Sequence, residues 1–245
     1  MLVKRLLSGA LSVCLFCAAL LALKENGVTS AERPNFAIMV AVDLSSTWLS
    51  KASRASNERV LEQVGKAVVS ASRRESGATS IRYLKIGESS FFQEPLCEAT
   101  LKQRLLTPRT VTGDGVFTHV GALEDYLIKD CKRFILSRPE ENYTDIQGAV
   151  FTAQKLSEGI ARKAIVLLSD MKEERKPGMS PPTLSLDGVN VIIIYRVLKE
   201  DRSDPAALDR RLASWKTLLG ESGAQVLMMP DLGVKAERIE AELMR

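Results

Sequence analysis

The chain is poor in the groups that hydrolytic and phosphoryl-transfer chemistry draws on. Its 245 residues include a single histidine, His119. A Ser-His-Asp triad would have to use it, and no GxSxG elbow accompanies it, so His119 is expected at the surface or as a helix cap. The stretch TGDG at 112–115 offers Gly113 and Gly115 but lacks the Gly-Lys-Ser/Thr that a phosphate loop needs after them. No Lys/Arg block of nucleic-acid-binding density is present, and 34 basic against 30 acidic residues leave a net charge of only +4. Nucleic acid is therefore not an expected partner. No internal repeat divides the chain.

Cysteine is scarce as well, at four residues. Two of them, Cys14 and Cys17, fall in an amino-terminal stretch, MLVKRLLSGALSVCLFCAALLALKENG, in which Lys4 and Arg5 precede an apolar run from Leu6 to Leu23. That is the pattern of an export signal. Val13 and Phe16 are bulky where a lipid-attachment signal needs a small residue before its cysteine. At about 18 residues the run is also just long enough for a membrane-spanning anchor. Cleavage near Thr29-Ser30-Ala31 and retention as an anchor both stay open. Residues 1–31 are read as signal peptide or membrane anchor, the only contact with a membrane, and 32–245 as the folded domain. An exported protein, periplasmic or extracellular, is expected. Cys97 and Cys131 then remain, and in an oxidising compartment two cysteines invite a disulfide. The alternative is that Cys131, on the apolar side of a helix, is a small buried residue.

What the chain does have is apolar content, 45% of residues, enough for a sizeable core. Phe36 to Val42 is a continuous apolar run suited to a strand buried on both faces, and the following SNERVLEQVGKAVVSASRRE carries Val60, Leu61, Val64, Ala67, Val68 and Ala71 at helical spacing, with Ser56 as its cap. Ile81 to Ile86 reads as a second strand and SSFFQ at 89–93 as a short edge strand. A short helix is expected near 98–106, then a turn at 112–115, then a helix with Val120, Leu123, Leu127, Cys131 and Phe134 on one side. Beyond it come a helix from Asp145 to Ala161, strand KAIVLLSD (163–170), an exposed loop at 172–188 and strand VNVIIIY (189–195). Asp204-Pro205 opens a helix closed by Gly220, and strand AQVLMM precedes a terminal helix. Strands alternating with helices predict an α/β fold: a doubly wound, mostly parallel central sheet flanked by helices.

In such sheets, sites collect beyond the carboxyl ends of the strands. FAIMVAVD ends at Asp43 and KAIVLLSD at Asp170, which places two carboxylates on one edge of the sheet. Ser45 and Thr47 follow Asp43, and Thr144 stands directly before a helix. Carboxylates and hydroxyls form an all-oxygen set, suited to Mg²⁺, Mn²⁺ or Ca²⁺ rather than to zinc or copper.

Asp43-x-Ser45-x-Thr47, a later Thr144 at a helix start and Asp170 after an apolar strand, in that order, resemble the metal-ion-dependent adhesion site of von Willebrand factor A-type (vWA) domains. The resemblance covers roughly residues 35–230. The family's first element is usually DxSxS, and Thr47 keeps the last hydroxyl. The resemblance implies that Ser45 and Thr47 coordinate the ion directly, and that Asp43, Thr144 and Asp170 do so directly or through water. It also implies one open coordination position, commonly filled by an acidic side chain of a protein partner. Two departures stand out. Glu140, Glu141, Asn142 and Tyr143 occupy a loop where the family often has glycines, and Met171 stands where a glycine commonly follows the last aspartate.

A phosphotransferase of the haloacid dehalogenase type also begins with an aspartate after the first strand, but it needs a second aspartate where Ser45 stands. The expectation is an exported binding module and not an enzyme. Its alternatives are a metal-independent scaffolding subunit of an envelope assembly and, further off, a metal-dependent hydrolase. Trp48 reads either as an exposed contact anchor beside the ion or as an aromatic packed under a loop. The run Lys172-Glu173-Glu174-Arg175 is a solvated face on the rim of the site.

Overall fold

The computed structural model describes residues 34–91, 93–102 and 115–245. The export segment expected at 1–31 and all but the last residue of the turn at 112–115 lie outside them.

Every side chain of the strand that carries Asp43 is buried. A run with no polar face satisfies its backbone and its side chains only with a strand on either hand and a helical layer above and below, and the chain supplies all four. Strands β1 (Phe36–Asp43), β2 (Thr79–Ile86), β3 (Cys97–Leu101), β4 (Val116–Phe117), β5 (Arg162–Ser169), β6 (Val189–Tyr195) and β7 (Gln225–Pro230) lie side by side in the order β4-β3-β2-β1-β5-β6-β7. All neighbours are parallel except β2 and β3. The helices are α1 (Ser46–Leu49), α2 (Arg54–Arg74), α3 (Val120–Asp125), α4 (Lys132–Leu136), α5 (Ile146–Leu156), α6 (Lys199–Ser203), α7 (Pro205–Glu221) and α8 (Ala236–Leu243). Phe36, Ile38, Val40 and Val42 pack with α2, α3, α4 and α8 in one layer. Ala37, Met39 and Ala41 pack with α5 and α7 in the other. The expected α/β architecture is the one found.

Several local expectations are corrected. Residues expected to open a helix at 98–106 instead form β3, which runs antiparallel to β2, with Cys97, Ala99 and Leu101 buried and Glu98 paired to Arg82 across the strands at 2.7 Å. SSFFQ contributes no strand among its described residues. Helix α2 starts at Arg54, so Ser56 lies inside it and caps nothing. Between α3 and α4 the segment Tyr126–Cys131 is π-helical, and its wider turn keeps residues four apart in line. Leu123, Leu127, Cys131 and Ile135 therefore face the core, while Phe134 is 44% exposed. The 172–188 loop is not wholly exposed, because Leu184 and Leu186 tuck into the α5/α7 layer. Helix α7 opens at the Asp204-Pro205 pair as expected, with the Asp204 carboxylate accepting from Ala207 N–H. It runs on to Glu221, and the left-handed residue beyond it is Gly223 rather than Gly220.

Cys97 and Cys131 are joined in a disulfide, with their Cα atoms 5.9 Å apart. The bond ties β3 to the π-helical segment.

Candidate metal centre

Strands β1 and β5 are parallel neighbours with Val42 opposite Leu168, so Asp43 and the Ser169-Asp170 pair leave the sheet on the same edge. There the backbone turns at once into α1. Ser45 N–H donates to Asp43 Oδ1 at 2.8 Å, and the Ser169 hydroxyl donates to Asp43 Oδ2 at 2.6 Å. The Thr47 hydroxyl donates to Asp170 Oδ2 at 2.7 Å. Because a hydroxyl has one proton to give, the 2.9 Å contact between the Ser45 and Thr47 hydroxyls must run from Ser45 to Thr47. Asp170 Oδ1 accepts from Lys172 N–H at 2.8 Å. Asp43, Ser45, Thr47 and Asp170 are thus one connected set.

Thr144 reaches the same edge through its backbone. Glu141 N–H donates to Leu44 O at 2.9 Å, Asp145 N–H to Gly87 O at 3.0 Å, and Thr144 exchanges both backbone bonds with Glu174, at 2.7 and 3.0 Å. The bulky Glu140–Tyr143 loop is held in place by the Glu141 carboxylate, which accepts from Lys85 at 2.6 Å and from Glu88 N–H at 2.5 Å.

Burial decides the electrostatics. Asp43 is fully buried, and loss of hydration pushes its carboxyl up to about 6 from 3.8; the Ser169 hydrogen bond opposes the rise and the neighbouring Asp170 adds to it. The Lys172–Arg175 run is more than a solvated face. Glu173 is largely desolvated, which raises its carboxyl, and it accepts from Gln147 N–H at 2.8 Å and from Arg175 at 2.5 Å.

Trp48 is buried at 1% exposure, which removes the exposed-anchor reading and leaves packing. Its ring lies 5.1 Å from the Arg196 guanidinium. His119 is exposed at the N-cap position of α3.

Met171 adopts φ 61°. Its backbone is held on both sides, N–H to the Ser169 hydroxyl at 2.9 Å and O from the Trp215 indole at 3.0 Å, while its side chain is buried. The glycine-like conformation is kept even though the residue is not glycine.

Three residues escape the sequence reading. Ser169 bonds Asp43, and its place in LLSD beside Asp170 was a signal for it. Asp145 is fully buried and caps α5 by accepting from Gly148 N–H at 3.0 Å, and its position two residues ahead of Gln147-Gly148 hints at that cap. Arg196, directly after the apolar strand β6, is almost wholly buried.

No family model and no curated protein matches the chain. Solved structures are similar to it. A von Willebrand factor type A protein from Catenulispora acidiphila shares 12% identity at a TM-score of 0.48, over 86% of this chain and 42% of that one. The pilus adhesin SpaC from Lactobacillus rhamnosus GG shares 10% at 0.44, over 86% and 29%. Proximal thread matrix protein 1 from the mussel byssus shares 14% at 0.42, over 87% and 46%. The chain spans less than half the length of each. These superpositions are loose, and the chemistry of the site rests on its own atoms.

Those atoms fit a hard divalent cation. Every donor in the set is oxygen, the donor type a hard cation takes, two of them carboxylates and the rest hydroxyls. Among the described residues no group of three or more His, Cys, Asp or Glu side chains is arranged to hold a metal ion. The two carboxylates lie close enough for Asp170 to make ionisation of Asp43 harder, and a cation would relieve that deficit of positive charge.

Proposed function

We propose that the protein is an exported vWA-type binding module that engages a protein partner through a divalent ion, Mg²⁺ first and Mn²⁺ or Ca²⁺ next. The observation that carries this reading is the hydrogen-bonded set of Asp43, Ser45, Thr47 and Asp170 on the carboxyl edge of the sheet, with Thr144 brought alongside. These five residues would hold the ion, and the ion would supply a Lewis-acidic position that an acidic side chain of the partner completes. The chain's own part is to fix the oxygens beforehand. Ser169 and the Ser45 amide orient Asp43, and the Lys172 amide and Thr47 orient Asp170. Catalysis is not part of the proposal: Ser45 stands where acid-base chemistry would need a carboxyl, and the lone histidine sits exposed at the N-cap position of α3. The Cys97–Cys131 disulfide supports an oxidising compartment, hence export.

Titration calorimetry with Mg²⁺ or Mn²⁺ tests this. Binding is expected in the native protein and absent in Asp43→Ala/Asp170→Ala; unchanged heat in the double variant sinks the metal reading. One feature favours a second reading, a metal-independent scaffold: the hydroxyls and carboxylates already satisfy one another, Thr47 to Asp170 included. Partner capture that survives EDTA and both substitutions would select it.

A further inference from the structure

We infer that Arg196 is a positioning residue for the hydroxyl-bearing turn, acting through the Trp48 carbonyl; the inference rests on the metal reading above. The turn α1 has only four residues, too few to hold helical geometry on its own, because nucleating a helix fixes several residues for one hydrogen bond. Its start is pinned, since Trp48 and Leu49 N–H both donate to Ser45 O, at 3.0 and 2.9 Å. Its far end exposes backbone carbonyls with no helical partner, and the buried one belongs to Trp48.

Two side chains meet that carbonyl. Arg196 Nη1 donates to Trp48 O at 3.2 Å, and Asn57 Nδ2 donates to the same atom. Arg196 Nη2 in turn donates to Asn57 Oδ1 at 2.6 Å, and its Nε donates to Asp231 Oδ2 at 2.9 Å. The guanidinium lies over the Trp48 ring, and Arg196 N–H donates to Ser169 O at 3.2 Å, the residue whose hydroxyl holds Asp43. Arg196 therefore grips the turn one residue past Thr47 while its own backbone is fixed to the strand end that orients Asp43. The planar fork reaches three acceptors from three separate nitrogens, whereas a lysine's three donors all leave one nitrogen and cannot span the same set. Its Asp231 pair balances the buried charge, so the grip is not bought with an isolated cation.

Arg162 supplies the comparison. It stacks 4.6 Å over Phe36 at the opposite end of β1, pairs with Glu75 at 3.1 Å and donates to Leu243 O at 2.9 Å, far along the sheet from the ion set. Mn²⁺ titrated calorimetrically into the purified protein distinguishes the two arginines. Arg196→Met is expected to weaken Mn²⁺ binding roughly 10- to 100-fold while remaining folded in EDTA, as loss of a residue that orients metal ligands does. Arg196→Lys, which keeps charge but not the fork, is expected to fall between. Arg162→Met is expected to lower the melting temperature in EDTA and leave the Mn²⁺ affinity unchanged. Native affinity in folded Arg196→Met, or equal losses in both Met variants, overturns the inference and spares the metal reading. A native protein that releases no heat overturns both. Should Arg196→Met fail to fold, Asn57→Ser, which removes the other donor to Trp48 O, and Arg196→Lys carry the same comparison with the same outcomes.

Discussion

Asp43 is held at a cost. Its carboxyl titrates near 6 in the folded chain and at 3.8 when exposed, so the folded state binds the proton more tightly than the unfolded one. The sign follows: the penalty is absent below about pH 4, grows as pH rises through 6, and is complete above it. In EDTA, the effect of Asp43→Asn is therefore expected to be more favourable near pH 8 than near pH 4 by about 2–3 kcal/mol at 1.36 kcal/mol per unit, on top of a pH-independent loss because the amide nitrogen cannot accept from both Ser45 N–H and the Ser169 hydroxyl. Denaturant unfolding at both pH values checks this, and added Mg²⁺ should narrow the gap by stabilising only the native carboxylate. Met171 presents the opposite balance. Met171→Gly relieves a left-handed backbone worth about 1–2 kcal/mol but empties a buried site worth about 2–5 kcal/mol, so net destabilisation is expected in urea melts. Asp43 and Asp170 were legible in the sequence because each closes an apolar run whose strand character is plain, and Ser45 and Thr47 because they follow Asp43 within four positions. Arg196 was not, because the carbonyl it serves lies 148 positions earlier and only the strand order brings the two together.

At the level of elements, the runs that read correctly are those with one dominant environment. β1, β5 and β6 each carry an unbroken apolar run, Phe36–Val42, Ala164–Leu168 and Val191–Ile194, which suits a strand covered on both faces. CEATL is ambiguous: glutamate, alanine and leucine favour a helix, and alternation over five residues is too short to outweigh them until β2 offers a partner. Phe134 was misplaced because a 3.6-residue period assumes regular turns, and the π-helical segment breaks that assumption. The disulfide fastens this least regular part, closing a loop with a sequence separation of 34. Chain entropy for a loop of that length gives about 3–4 kcal/mol. Cys97→Ala/Cys131→Ala is expected to lose an amount of that order in thermal melts, while Mn²⁺ affinity stays at the native value, since neither cysteine touches the ion set.

Across the whole molecule, the layering predicts where the fold is firmest. β1 and β5 have a strand on each side and a helical layer on each face, so their amides are expected to exchange with deuterium most slowly. The 172–185 stretch, mostly without ladder bonds, should exchange fastest among the described residues. Adding Mg²⁺ should slow exchange at 44–49 and 143–145 and leave the disulfide-tied side unaffected; uniform slowing would argue against a localised ion. The oxygens at 43–47 and 170 come from distant segments that adjoin because β1 and β5 lie next to each other, and Thr144 reaches the same edge through its backbone bonds with Glu174. A chain still emerging from synthesis has no such site until the residues through Asp170 have joined the sheet. An ion or partner that needs all of these oxygens would thus act as an inspector, retaining finished molecules and passing over unfinished ones.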